Sequence, residues 1–85
     1  MKVYVLHECI DSSDFYAEDN IIDLSKGFED LRRKMFKAYL DAKSDFSPEE
    51  LCNDDTWYEE TEASVVCDKD GYYYRHHWKI DEFEV

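Results

Sequence analysis

Apolar residues fall at Leu24, Phe28, Leu31, Met35 and Tyr39, with Phe36 and Leu40 beside them. Steps of four, three, four and four draw one stripe along a helix of 3.6-residue period. This is the clearest element of the chain, and it constrains the fold most. A helix with one apolar stripe has to bury it against another layer. Ser25 is the expected N-cap, with Asp23 as a rival. Gly27 falls in the first turn, and the pattern fades near Ala42 or Lys43.

The flanking sequence supplies strands. Residues 2–10, "KVYVLHECI", are rich in β-branched and aromatic types. Val3, Val5, His7 and Cys9 share one face; Tyr4, Leu6 and Ile10 share the other. Apolar groups on both faces predict a central strand, covered at least partly on each side. "EDNIIDL", 18–24, reads as the return arm of a hairpin. Residues 56–67 and 72–85 read as two long strands joined by "DKDG", 68–71, in which Asp70-Gly71 is a hairpin signal. A two-residue turn sets Ala63 opposite Trp78, Val65 opposite His76, Cys67 opposite Tyr74 and Thr61 opposite Ile80. That register gathers the apolar residues on one face. A three-residue turn with Gly71 in a bulge pairs the faces less well. Phe83 and Val85 fall out of phase with Trp78 and Ile80, and a bulge near Asp81-Glu82 would restore the phase. "SPEEL", 47–51, predicts a short second helix: Ser47 as cap, Pro48 at the first helical position, Glu50 completing a capping box. The expected fold is a single α+β domain over residues 1–85. It is a two-layer sandwich of a mainly antiparallel four-stranded sheet in the order β-β-α-β-β, with one main and one short helix.

Charge bears on function more than on fold. The chain has 22 acids against 10 bases, a net charge of −12. Such a chain repels nucleic acid, whose phosphates need Lys and Arg, and anionic membrane surfaces. It attracts basic partners. Lys26, Arg32, Arg33, Lys34, Lys37 and Lys43 all lie on the predicted helix, so the rest is more acidic than the average. The segment 44–62 holds eight acids and no base. Within it, "NDDTWYEETE" sets Trp57 and Tyr58 among Asp54, Asp55, Glu59, Glu60 and Glu62. Alternate acids on one strand face, such as Glu60 and Glu62, would stand about 6.6–6.8 Å apart and form a row resembling phosphates.

Catalytic signatures are missing. The sequence has no Gly-rich phosphate loop, GxSxG elbow or HExxH. Cys67 and His76 lie near each other on one predicted face, but a buried Cys packed beside a core His is the simpler reading. Asp54-Asp55 and Glu59-Glu60 would serve acid–base work only in a cleft. His7, Cys9, Cys67 and His76 are zinc-ligand types, at a spacing that is not diagnostic; they are either core residues or a metal site. "DKDGYYYRHH" lacks the closing Glu of a calcium loop. His76 and His77 point to opposite faces of a strand. No cofactor or metal is expected. Three cysteines without a CxxC fit reduced thiols in a cytoplasm. The N-terminus does not read as a signal peptide, and no apolar run approaches the roughly 20 residues of a membrane helix.

The opening "MKVYVL", the central amphipathic helix and the ending "TWYEETEASVV–DG–YYYRHHWKIDEFEV" resemble small acidic proteins of bacteria and their phages or mobile elements. Some proteins of that size and charge are anti-CRISPR or anti-restriction inhibitors that mimic DNA. The resemblance implies no catalytic residue. The expected activity is therefore non-enzymatic binding of a basic protein surface, such as that of a nuclease or another nucleic-acid-binding protein. Asp45, Glu49, Glu50, Asp54, Asp55, Glu59, Glu60 and Glu62 would supply charge, and Trp57 and Tyr58 contact area. An immunity protein or antitoxin against a co-encoded toxin would use the same chemistry. A structural or homodimeric protein would instead pair through an exposed edge strand.

Overall fold

The computed structural model describes residues 1–12, 15–69 and 72–85. The chain runs β1 (Lys2–Ser12), β2 (Phe15–Ser25), α1 (Phe28–Ser44), β3 (Trp57–Tyr58), β4 (Glu62–Lys69) and β5 (Tyr72–Glu84). It is an α+β fold: one antiparallel five-stranded sheet in the order β2-β1-β5-β4-β3, with α1 across one face. No helix among the described residues is long and apolar enough to cross a membrane.

Alternation along the strands decides which residues meet the helix. Leu6 of β1, Ala63 and Val65 of β4, and Trp78 and Ile80 of β5 pack with Leu31, Met35 and Tyr39 of α1 in one buried cluster. Trp78 is its largest member and is fully buried. Its ring meets Tyr39 edge-on and stacks on His76 at 3.9 Å between centroids. Burying the Trp and Leu6 side chains supplies about 1.5–3 kcal/mol or more each. The Trp78 Nε1–H has no hydrogen-bond partner among the described residues. Tyr4 and Phe28 close the cluster at the start of the helix, with ring centroids 5.5 Å apart.

The predicted register of the last hairpin is the observed one. Ala63 pairs with Trp78, Val65 with His76 and Cys67 with Tyr74. The Ile80 N–H donates to the Thr61 carbonyl at 2.8 Å. Asp70-Gly71 lies outside the described residues, between the paired Lys69 and Tyr72. β1 is central, between β2 and β5, and β2 is the return arm of its hairpin.

Four expectations are corrected. The sheet has five strands rather than four, because the run 56–67 is not continuous. Glu59 donates its N–H to the Glu62 carbonyl at 2.7 Å, which folds Trp57 and Tyr58 back onto Ser64 and Ala63. "SPEEL" forms a single turn, not a helix. Glu50 N–H reaches the Ser47 carbonyl, and Glu50 Oε1 accepts from both Ser47 N–H and Oγ. The backbone then leaves for the sheet: Leu51 bridges Cys67, and Cys52 N–H donates to the Val66 carbonyl. The β1–β5 register runs without a bulge at Asp81-Glu82. Phe83 therefore stays on the helix-free face opposite Val3, half-exposed. Finally, the helix begins at Phe28, with Gly27 rather than Ser25 or Asp23 as N-cap. The Ser25 hydroxyl accepts from the Gly27 N–H at 3.0 Å, which bends the chain from strand to helix.

Candidate functional site

Residues 45–62 run along the β4 edge and cover it. Thr56 is the clasp. Its Oγ1 accepts from Val66 N–H at 3.1 Å and donates to the Val66 carbonyl at 3.3 Å. Together with Cys52 N–H and the short β3, this satisfies backbone groups that an open edge would leave bare. The cover is why Ser64 and Val66, on the helix-free face, are buried although no helix reaches them. A shallow cleft of about 200 Å³ lies there, lined by Asp55, Trp57, Ser64, Val66, Tyr73 and Arg75.

The acids of the segment sit along this edge on successive turns. Asp45 caps the C-terminus of α1, Glu49 and Glu50 are in the turn after it, and Asp54 and Asp55 are in the next. Glu59 and Glu60 form the tip between β3 and β4. All but Glu50 and Glu62 are exposed. Glu60 sits in the turn rather than in an extended strand, so it forms no regular strand row with Glu62. The two aromatics part company. Tyr58 turns to the helix side, against Phe36 and Tyr39. Trp57 turns to the helix-free face, edge-on to His77. Glu62 also lies on that face, 3.3 Å from His77 Nε2. The predicted residues thus share one edge but wrap around it.

The helix cations pair mainly away from this edge, although Arg32 also hydrogen-bonds Tyr58 and lies in the field of Glu60. Arg32 pairs with Glu29, Arg33 with Asp30, and Lys34 with Asp23 of β2. Lys34 and the Leu24 N–H hold the Asp23 carboxyl below its ordinary pKa. Among the described residues, Asp45, Glu49, Asp54, Asp55, Glu59 and Glu60 form no ion pair with Lys or Arg.

The groups weighed for metal binding or catalysis fall on opposite sides of the sheet. His7 and Cys9 are on the helix-free face; Cys67 and His76 are on the helix side. The four cannot surround one ion, and no group of three or more His, Cys, Asp and Glu among the described residues converges on a metal-sized site. Both nitrogens of His76 are engaged. Nε2 lies 2.8 Å from Glu8 Oε2, and Nδ1 lies 3.2 Å from the Tyr74 hydroxyl. Burial lowers the His76 pKa, with Glu8 opposing the shift. Burial likewise raises the Tyr74 hydroxyl. Neutral His76 with its proton on Nε2 fits both contacts, and its nitrogens are therefore not free to activate Cys67. Burial and a hydrogen bond to Asp19 raise the Cys9 thiol; a hydrogen bond to Asp55 raises Cys52. Raised thiols are weaker nucleophiles at neutral pH.

Sequence reasoning missed one feature beside the edge. Phe36 and Leu40, read as flanking the core stripe, are 45% exposed each. With Tyr58 they floor a groove of about 480 Å³, whose other lining residues are Glu29, Arg32, Arg33, Lys37 and Asp41.

In comparisons with known proteins, no family model matches the chain, and neither a curated protein nor a solved structure matches it.

Proposed function

We propose that this chain is a non-enzymatic binding protein that grips a basic protein surface with the edge formed by residues 45–62. The observation that carries the reading is that, among the described residues, six acids of that edge form no ion pair with the protein's own Lys and Arg. Arg32, Arg33 and Lys34 pair with Glu29, Asp30 and Asp23, while Asp45, Glu49, Asp54, Asp55, Glu59 and Glu60 stay exposed. A dense negative edge raises the encounter rate with a positive groove. Trp57 and Tyr58 add area that loses water on contact. The most concrete version is an inhibitor that occupies the nucleic-acid site of a defence enzyme, as DNA-mimicking anti-CRISPR proteins do. The split of the aromatics onto two faces suits an edge inserted into a groove better than a flat face laid on a surface.

The test is capture from bacterial lysate at low salt and at about 0.5 M salt, where screening lengths shrink to a few ångströms, with mass spectrometry of what is held. A variant carrying Asp54→Asn, Asp55→Asn, Glu59→Gln and Glu60→Gln runs in parallel. Nucleic-acid-binding proteins held only by the wild type, released by salt, and losing bound DNA duplex when it is added are the expected result. Equal capture by wild type and variant, with both folded, would falsify the reading, and so would capture of nothing at either salt.

A further inference from the structure

The strand register brings metal-ligand types together on the helix-free face. Cys9 of β1 stands opposite His77 of β5 and, on its other side, opposite Asp19 of β2. His7, two residues along β1, shares that face. The sequence suggested Cys67 and His76 as companions of His7 and Cys9; the fold supplies His77 and Asp19 instead. His7, Cys9, Asp19 and His77 line one cleft of about 370 Å³, completed by Glu8 and Lys79. Those two are engaged elsewhere: Glu8 Oε2 meets His76 on the helix side, and the Lys79 ammonium lies 3.6 Å from Asp81. Directly opposed side chains of neighbouring strands start about 4.5–5.5 Å apart, and alternate residues of one strand about 6.6–6.8 Å apart. Zinc bonds of about 2.0–2.3 Å put an ion seated over Cys9 within side-chain reach of the other three.

The two imidazoles carry a second, independent sign of a ligand. His7 Nε2 lies 2.9 Å from Asp81, and His77 Nε2 lies 3.3 Å from Glu62. The Nδ1 of each forms no hydrogen bond among the described residues. A carboxylate behind one ring nitrogen favours the proton there and leaves the other lone pair for a metal, which is the usual outer partner of a ligating His. His76 differs, with both nitrogens engaged. In the rotamers they hold, the side chains do not converge on one point. Closing the site takes side-chain rotation, which at the protein surface is a nanosecond event or faster. We propose that His7, Cys9 and His77, with Asp19 as fourth ligand, bind a divalent transition-metal ion of the zinc class, and that Asp81 and Glu62 orient the imidazoles from behind. Imidazole, thiolate and carboxylate together suit zinc, whereas calcium and magnesium take oxygen ligands. On binding, Cys9 gives its proton to water and the ion's charge stabilises the thiolate. None of the four ligands belongs to residues 45–62, so this inference does not rest on the acidic-edge function.

The experiment titrates the purified, reduced chain with zinc chloride by calorimetry and with cobalt(II) chloride by absorption spectroscopy. The expected result is a single ion per chain and a thiolate-to-cobalt charge-transfer band in the near ultraviolet. Cys9→Ser removes that band. Cys9→Ser, His7→Gln and His77→Gln each weaken zinc binding at least about tenfold, and Asp81→Asn weakens it about tenfold with unchanged urea stability. Cys52→Ser and Cys67→Ser leave both the band and the affinity as they are. No zinc heat and no cobalt band at millimolar metal overturns the proposal. So does a cobalt spectrum without the thiolate band, or a zinc affinity that Cys9→Ser and His77→Gln both leave unchanged. If Cys9→Ser fails to fold, the surface variants His7→Gln and His77→Gln decide the matter. The variant with Asp54→Asn, Asp55→Asn, Glu59→Gln and Glu60→Gln keeps its zinc; loss of zinc there would assign the ion to the acidic edge and overturn this site. Loss of lysate capture with zinc binding intact would sink the acidic-edge function and leave the metal site standing.

Discussion

The two faces of the sheet are built from the same strands, one residue out of step, and they are held by different physics. The helix face is dry: Leu6, Ala63, Val65, Trp78 and Ile80 meet Leu31, Met35 and Tyr39 with almost no exposure. The helix-free face is a lattice of polar pairs. His7 Nε2 lies 2.9 Å from Asp81 without a hydrogen bond between them, His77 faces Glu62, and Lys79 lies 3.6 Å from Asp81. Among the described residues, this second face becomes buried only beneath the 51–58 cover, at Ser64 and Val66. The difference teaches that stability is concentrated on one side, while the other side and its covered edge are available for recognition.

The sharpest way to break the contrast is to empty the dry face. Trp78→Ala should cost about 3–5 kcal/mol in urea unfolding, whereas Trp57→Ala on the opposite face of the same sheet should cost about 1 kcal/mol. Equal losses would mean that the two faces share the load. Next comes the clasp. Thr56→Val keeps the shape but takes the partner from the Val66 N–H, leaving the Val66 carbonyl only its bond from Cys52 N–H, and should cost about 1–3 kcal/mol. Hydrogen exchange at the Val66 amide should speed up more than at Ile80, and exchange that is uniform across the sheet would contradict a local clasp.

A smaller effect distinguishes the faces by pH. The pKa of His76 in the fold is held below its ordinary 6.5 by burial. The unfolded chain therefore binds the proton first. The contribution of neutral His76 is fully present above about pH 6.5 and is lost as pH falls below that value towards the folded pKa. Stability of the wild type relative to His76→Gln should accordingly decline on acidification through this window; a flat difference would refute the burial of His76. The smallest effect belongs to the open lattice. Glu62→Gln should change stability by less than about 0.5 kcal/mol, since its partner His77 is a half-buried surface neighbour.

How much of this was legible in the chain depended on whether a residue's role was set by its neighbours in sequence. The central strand, the helix stripe and the last hairpin's register follow from local periodicity and from a turn that admits few registers. Phe36 and Leu40 did not, because periodicity reports which helix positions are apolar and not how much sheet lies beneath them. The sheet receives Leu31, Met35 and Tyr39, and two more apolar residues remain outside. The break at 59–61 was equally hidden: a run rich in strand formers folds back because Glu59 bonds Glu62, and Thr56 is taken by Val66, ten residues away. The capping box at Ser47 and Glu50 forms as local chemistry requires, yet one turn is all it nucleates, since Leu51 and Cys52 find partners on β4. Of the candidate site, the clustering of acids on one edge follows from the sequence, and the parting of Trp57 from Tyr58 does not.

The middle of the sheet joins the two most distant stretches of the chain. β1 pairs along its whole length with β5, and the Tyr4 hydroxyl reaches Glu82 across 78 residues. The β1–β2 and β4–β5 hairpins are local and can form early, but neither gains the shared floor under the helix until the other arrives. Closing so long a loop is entropically slow. Until β5 is in place, the apolar stripe of α1 therefore lacks Trp78 and Ile80, two of the buried residues that cover it.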